Sequence, residues 1–131
     1  MSTDAQGREP IRTPPDIWTL PEIIDVRAVL VRFKKPLIRY DGQKRMEHKE
    51  AVELMVKTSR PIPERALSPV LMVGDVAVDD YEVTGENLYR FYAFEMKQLR
   101  EGAPMRLGWP SRRPRREPKP PVFQLKGEEQ R

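Results

Sequence analysis

The sequence predicts an all-β fold, a small β-sandwich of about seven strands with extended N- and C-terminal arms. Short stretches of alternating or β-branched apolar residues follow one another, with turn signals between them. No long amphipathic helix separates these stretches, which excludes parallel βαβ units. Prolines are concentrated towards the two ends, where apolar side chains are few.

These patterns divide the chain into three parts. Residues 1–22 form a proline-rich N-terminal arm, residues 23–109 form the β-sandwich domain, and residues 110–131 form a Pro/Arg-rich C-terminal tail. A length of 131 residues suits a single domain. The arms have too little apolar surface to fold alone, so we expect extended backbone there.

The first half of the domain contains three strand patterns. Residues 24–33 carry apolar side chains on both faces, and their β-branched enrichment favours a strand over a helix. Residues 34–36 interrupt that strand, residues 36–40 form a second piece, and Asp41-Gly42 is a strong turn signal. The charged run 43–50 is either a solvated connection or the start of the next strand.

The third pattern covers residues 50–58. Its apolar side chains alternate with a second face that contains Glu53, and this alternation predicts a half-buried strand. A helix competes, because the segment is rich in helix-forming residues. The prolines at 61 and 63 and the strand-like context favour the strand.

The second half of the domain holds four strand patterns, at 69–73, 76–83, 88–94 and 104–109. The alternation slips by one residue at Asp79-Asp80, which suits an edge strand with a bulge. Residues 88–94 have aromatic side chains on both faces and are predicted to form a central strand. One helical turn is expected from Met96, before Gly102.

The segment 68–109 resembles the immunoglobulin-like domains of the TIG/IPT type. The residues that carry the resemblance are Val70-Leu71-Met72-Val73-Gly74, the Gly85 turn, Tyr89-Arg90-Phe91 and Gly102-Ala103-Pro104-Met105. The Ser-Pro-x-x-Gly motif with which that family begins does not occur near the first strand. The resemblance implies an immunoglobulin-like β-sandwich and no activity.

Composition excludes several classes of protein. Cysteine is absent, so disulfides, thiolate nucleophiles and cysteine-ligated metal sites are ruled out. Charged residues make up 34% of the chain. The N-terminus lacks the apolar core of a signal peptide and no apolar run is long enough to span a membrane, so we expect a cytoplasmic protein with no membrane span.

No catalytic, cofactor or metal motif emerges from the sequence. His48 is the only histidine and lies in a charged run, where an exposed side chain on a connector is expected. Asp75, Asp79, Asp80 and Glu82 lack the spacing of an EF-hand and suit a solvated edge. No Gly-rich phosphate loop and no G-x-S-x-G motif occur. The chain is therefore expected to be non-enzymatic, without a cofactor or a small-molecule substrate.

The C-terminal tail carries the most informative charge. Residues 110–131 contain 7 basic and 3 acidic residues, whereas residues 1–109 contain 17 of each. Arginines in such a tail bind either phosphates of nucleic acid or carboxylates of a partner protein. Arg115, Pro118 and Pro121 also have the spacing of a polyproline ligand. The tetrad 122–125 looks like a short strand added to an exposed sheet edge, in the same chain or in a neighbour.

We therefore expect a non-enzymatic accessory or assembly subunit that binds partner proteins through its β-sandwich and its extended arms. The alternative is a nucleic-acid-associated protein whose Arg-rich tail contacts phosphate. In a third interpretation the tail wraps its own domain and the tetrad completes a sheet. The residues expected to contact a partner are Trp18, Arg112, Arg113, Arg115, Arg116 and Phe123.

Overall fold

The computed structural model describes residues 19–64, 68–110 and 119–131. Within these ranges the chain forms eight β-strands and one 3-10 turn, Met96–Gln98. The strands are β1 (Ile23–Asp41), β2 (Lys44–Thr58), β3 (Val70–Val73), β4 (Val76–Val78), β5 (Asp80–Gly85), β6 (Leu88–Ala93), β7 (Met105–Gly108) and β8 (Leu125–Gln130). The all-β prediction is confirmed.

The strands form two sheets that enclose one core. The larger sheet has the order β5-β6-β2-β1-β8, and the smaller sheet has the order β4-β3-β7. Neighbouring strands are antiparallel except β1 and β8, which are parallel. The fully buried side chains of Leu54, Phe91 and Leu71 belong to a cluster that joins both sheets. This arrangement is the predicted β-sandwich.

The strands β1 and β2 form one long hairpin that turns at Gly42, where φ is +64°. The run 34–36 does not divide β1 into two strands, contrary to prediction. Instead the register with β2 shifts between Arg32 and Leu37. Such a bulge accommodates Pro36, which has no N–H to donate. Residues 44–50 of the charged run belong to β2, which is the second of the two predicted alternatives.

The phase slip at Asp79 marks a change of sheet. Strand β4 ends at Val78 at one edge of the smaller sheet, and β5 begins at Asp80 at one edge of the larger sheet. β4 and β5 are therefore both edge strands, and an edge strand was predicted from the phase slip. The prediction of a single strand over residues 76–83 was wrong, because these residues form two strands in different sheets. Strand β6 lies between β5 and β2 and is an interior strand, as predicted.

Both predicted arms contribute to the folded domain where the structure describes them. In the N-terminal arm, Leu20 is buried in the core, and the carbonyl of Thr19 accepts a hydrogen bond from the guanidinium of Arg60 at 3.1 Å. In the C-terminal tail, residues 119–131 lie against the sandwich and include β8. The folded part of the chain thus extends beyond the boundary predicted at residue 109.

Candidate strand-docking site

The free edge of β1, on the side away from β2, receives β8. The Cα partners are Ala28 with Leu125, Leu30 with Glu128, Val31 with Glu129, and Arg32 with Gln130. The register shifts by one residue around Gly127, whose φ of +136° is rarely adopted by residues with side chains. Strand β8 follows β7 of the smaller sheet in the chain, and the connection between the two strands includes residues 110–118.

The first anchor of this C-terminal segment is Phe123, whose side chain is buried among the core residues. Its N–H donates to the Ala103 carbonyl at 2.8 Å, and its carbonyl accepts from the Gly102 N–H at 2.8 Å. The Pro121 carbonyl likewise accepts from the Met105 N–H at 2.8 Å. Burying a phenylalanine side chain contributes about 1.5–3 kcal/mol. Phe123 thus fixes the start of the segment to the smaller sheet.

The second anchor is Arg131. Its guanidinium forms two hydrogen bonds with the Glu53 carboxylate on β2, one from Nη1 to Oε2 and one from Nη2 to Oε1 at 3.0 Å. Its N–H donates to the Arg32 carbonyl at 2.8 Å, and its carbonyl accepts from the Lys34 N–H at 2.6 Å. The hydrogen bonds to Glu53 raise the pKa of the Arg131 guanidinium above its ordinary value. Arg131 is therefore held as a cation by the acceptor strand pair.

Glu53 explains why an arginine is favoured at this position. Its side chain is only 4% exposed, and an ionised carboxylate at such depth costs several kcal/mol unless it is paired. Arg90 on β6 also approaches Glu53, with Nε 3.3 Å from Oε2, but without hydrogen-bond geometry. Arg90 donates instead to Glu82 at 2.5 Å. Arg131 thus supplies the hydrogen bonds that compensate the buried charge.

Between the two anchors the segment is held mainly by its backbone. Five of the six residues of β8 are exposed. The ion pairs Arg32–Glu128, at 3.4 Å, and Arg27–Glu129, at 3.7 Å, join exposed side chains. Exposed pairs of this kind contribute less than about 1 kcal/mol each. The specificity of docking therefore resides in Phe123, Gly127 and Arg131.

The residues predicted to contact a partner divide into two groups. Trp18, Arg112, Arg113, Arg115 and Arg116 lie outside the described residues. Phe123 is described, and it is buried in the chain's own core with 4% exposure, so it is not free to contact another protein in this state. Pro121, the last residue of the polyproline-ligand spacing, also contacts its own domain, because its carbonyl accepts the hydrogen bond from Met105.

His48 lies on β2 and not on a connector, contrary to prediction. Its ring is half-buried and stacks on Phe94, with the ring centroids 4.1 Å apart. The Arg39 guanidinium lies 4.5 Å from the centre of the same Phe94 ring and forms an ion pair with Asp80 at 2.5 Å. Of the predicted acidic cluster, Asp80 and Glu82 thus form ion pairs with arginines, Arg39 and Arg90. No metal-binding group of three His, Cys, Asp or Glu occurs among residues 19–64, 68–110 and 119–131.

A separate groove lies beside the outer edge of β5. Its volume is about 650 Å³, and its walls include Tyr81, Val83 and Tyr89 together with Pro61 and Pro63. The Tyr89 hydroxyl accepts a hydrogen bond from the Ile62 N–H at 2.7 Å. Val83 is 66% exposed at this groove.

No protein-family model matches this chain, and no curated protein and no solved structure is significantly similar to it. Within the part of the chain that the structure describes, no helix is long and apolar enough to cross a membrane.

The Glu53–Arg131 pair was not predicted from the sequence. Glu53 was expected on the solvated face of its strand, but it is buried because that face is covered. Val29 lies opposite Glu53 on β1, and Val29, Val31 and Ala51 are all buried outside the main core. The apolar residues on both faces of β1 were the available signal that both faces of this sheet are covered.

Proposed function

We propose that this chain is a non-enzymatic accessory or assembly subunit that binds partner proteins through its β-sandwich and its C-terminal arm. The observation that supports the proposal is the docking of residues 119–131 on the domain, in which β8 (Leu125–Gln130) pairs with the β1 edge. Addition of an extended segment to a sheet edge is a common mode of protein recognition. Backbone hydrogen bonds provide affinity, and anchoring side chains provide specificity.

The distribution of charge supports a role for the connection as well. The whole formal excess of positive charge lies in residues 110–131, and four of its basic residues are the arginines at 112, 113, 115 and 116. Arginines form bidentate contacts with carboxylates, as Arg131 does with Glu53. We propose that these four arginines contact acidic groups on the partner. The alternative, contact with phosphates of nucleic acid, predicts a strong dependence on salt.

The experiment that separates the two functions is purification of the tagged full chain from its native source. It is compared with a variant in which the arginines at 112, 113, 115 and 116 are replaced by glutamine. Substitution is preferable to truncation after Pro110, because truncation also removes Phe123 and Arg131 from the fold. A control variant loses the same charge at exposed lysines, with glutamine at Lys34, Lys35, Lys44 and Lys49.

Each purification is run at low and high salt, with and without nuclease. We expect a partner protein in stoichiometric amount that survives nuclease and is reduced more by the arginine variant than by the lysine control. Absence of any stoichiometric protein partner would refute the proposed function. Loss of all bound material on nuclease treatment would establish the nucleic-acid alternative instead.

A further inference from the structure

The far end of the β1–β2 hairpin extends beyond the rest of the larger sheet. The ladder between β1 and β8 ends at Arg32, and the ladder between β2 and β6 ends at Val52. Past the bulge in β1, residues 37–41 and 44–48 still form five pairs, and within the described part of the chain these strand ends pair only with each other. At the usual rise per residue, this two-stranded ribbon, residues 37–48, is about 14 Å long.

The two faces of the ribbon have different surroundings, because side chains alternate along each strand. One face lies towards the sheet, where His48 stacks on Phe94 and the Arg39 guanidinium lies over the same ring. The opposite face carries Ile38 and Tyr40, whose side chains are 42% and 67% exposed. The contacts with Phe94 thus hold the ribbon in position while the opposite face stays open to a ligand.

Positive charge is concentrated on the ribbon and beside it. Residues 33–49 contain six lysines and arginines but two acidic residues, although residues 1–109 as a whole are neutral. Arg39 and Arg45 form ion pairs with acidic side chains. The other four cations are exposed and form no ion pair with any described residue; they are Lys34, Lys35, Lys44 and Lys49. Their charge is therefore available to an anionic partner.

We propose that this ribbon binds double-stranded DNA and lies in a groove of the duplex. The major groove of B-form DNA is about 12 Å wide and admits a two-stranded β-ribbon. The four lysines neutralise phosphates beside the groove, and the face with Ile38 and Tyr40 meets the base edges, where apolar groups contact thymine methyls. The proposal goes beyond the proposed function, since it assigns a ligand to a surface that residues 119–131 leave exposed.

Other nucleic acids fit the ribbon less well. Proteins that bind single strands stack successive bases on several aromatic side chains. In the ribbon, Tyr40 is the exposed aromatic residue, whereas the His48 ring is already stacked on Phe94. The major groove of an A-form RNA duplex is deep and narrow, and side chains do not read it. Duplex DNA is therefore the ligand that the shape and charge of the ribbon favour.

The first test measures the affinity of the full chain for a short fluorescent DNA duplex by anisotropy at several salt concentrations. One variant carries glutamine at Lys34, Lys35, Lys44 and Lys49. The control carries glutamine at four other exposed lysines, Lys57, Lys97, Lys119 and Lys126. Both variants keep the arginines of the C-terminal tail, so the comparison isolates the ribbon.

We expect the ribbon variant to bind the duplex at least about tenfold more weakly than the parent, and the control to stay within about twofold. Each phosphate contact contributes about 0.9 to the slope of log affinity against log salt, so the ribbon variant should lose about 3–4 from that slope. Equal affinities of the two variants would overturn the proposal. A parent chain that prefers single-stranded DNA or an RNA duplex would also overturn it.

The second test locates the ribbon on the duplex, and the absence of cysteine makes it possible. An iron chelate that cleaves nearby nucleic acid is attached to Gln43→Cys, at the exposed end of the ribbon. The control chelate is attached to Glu86→Cys, at the exposed turn between β5 and β6. We expect cleavage of the duplex by the first chelate and not by the second.

Equal cleavage by the two chelates, or cleavage by neither, would place the duplex elsewhere and overturn the proposal. Loss of a bound protein, and not of DNA, in the ribbon variant would show that the ribbon recognises an acidic protein instead. The proposed function is tested separately, because it depends on a protein partner that survives nuclease and responds to the arginines at 112, 113, 115 and 116.

Discussion

The Arg131 guanidinium closes a bidentate ion pair on the Glu53 carboxylate, joining two residues that are 78 positions apart in the sequence. Glu53 lies on the central part of β2 and is almost completely buried, whereas the Arg131 side chain is 33% exposed. The pair connects the end of the docked segment to the interior of the larger sheet. It therefore makes the docked state sensitive to single substitutions at either residue.

Arg131→Ala should lower the free energy of unfolding by about 2–3 kcal/mol, because it leaves a buried carboxylate poorly compensated. Denaturant unfolding measures the change. Lys126→Ala is the control on the same strand, since Lys126 is exposed and its ammonium donates a hydrogen bond to Gln124 on the same segment. It should change stability by less than about 0.5 kcal/mol. Equal stabilities of the two variants would contradict the assigned role of the ion pair.

A double-mutant cycle should show coupling between the two partners. Glu53→Gln removes the buried charge, and in that background the loss of Arg131 should cost less than it does in the parent protein. The coupling free energy from the four unfolding curves should be about 1–3 kcal/mol. Strictly additive effects would show that Arg131 acts on stability through other contacts.

Phe123→Ala should lower the free energy of unfolding by about 3–5 kcal/mol, because it leaves a cavity in the core. The neighbouring substitution Val122→Ala is a matched control, since Val122 is 47% exposed. It should have a small effect on thermal unfolding. A comparable loss for both variants would mean that the backbone bridge, and not the aromatic side chain, holds this part of the segment.

Stability should fall at alkaline pH because of Tyr92. Burial, and then the negative charge of Glu53, raise the pKa of the Tyr92 phenol above its ordinary value of 10.0. The unfolded chain therefore loses this proton at lower pH than the folded chain. The stabilisation is complete below about pH 10 and is lost as the pH rises through the raised pKa. The free energy of unfolding is measured between about pH 9 and 11. Its decrease with rising pH should be smaller in Tyr92→Phe than in the parent protein, and unchanged in Tyr40→Phe.

The distal part of the β1–β2 hairpin should depend on Phe94. His48 stacks on this ring, and Arg39 lies over it while pairing with Asp80. Phe94→Ala should accelerate amide hydrogen exchange in residues 37–41 and 44–48, with little change in β6 and β2 beyond them. Tyr40→Ala, at an exposed position on the same hairpin, should leave exchange unchanged. Uniform acceleration throughout the sheet would indicate global destabilisation instead.

The strand pattern was largely predictable because alternation and turn residues are local signals. The Gly42 turn, the change of phase at Asp79 and the 3-10 turn at Met96 all follow from neighbouring residues. The continuity of β1 through Pro36 was not predictable from that pattern. It depends on pairing with β2, which absorbs the proline in a bulge.

The docking site was less predictable because its contacts are distant in sequence. A short strand at residues 122–125 was foreseen, but β8 begins at Leu125 and continues to Gln130 through charged residues and Gly127. Those residues have weak strand propensity on their own. Their pairing is set by the β1 edge and by Glu53, and neither is visible from the C-terminal sequence alone.

The measurement that tests the central claim most directly is exchange of a labelled peptide into the cleaved chain. A protease site is placed within residues 111–118, the chain is cut, and a fluorescent peptide of residues 119–131 is added in excess. We predict that the peptide replaces the original segment, that the Lys126→Ala peptide competes equally well, and that the Phe123→Ala and Arg131→Ala peptides compete at least about tenfold less well. Failure of the parent peptide to enter, or equal competition by the anchor variants, would contradict docking at the β1 edge.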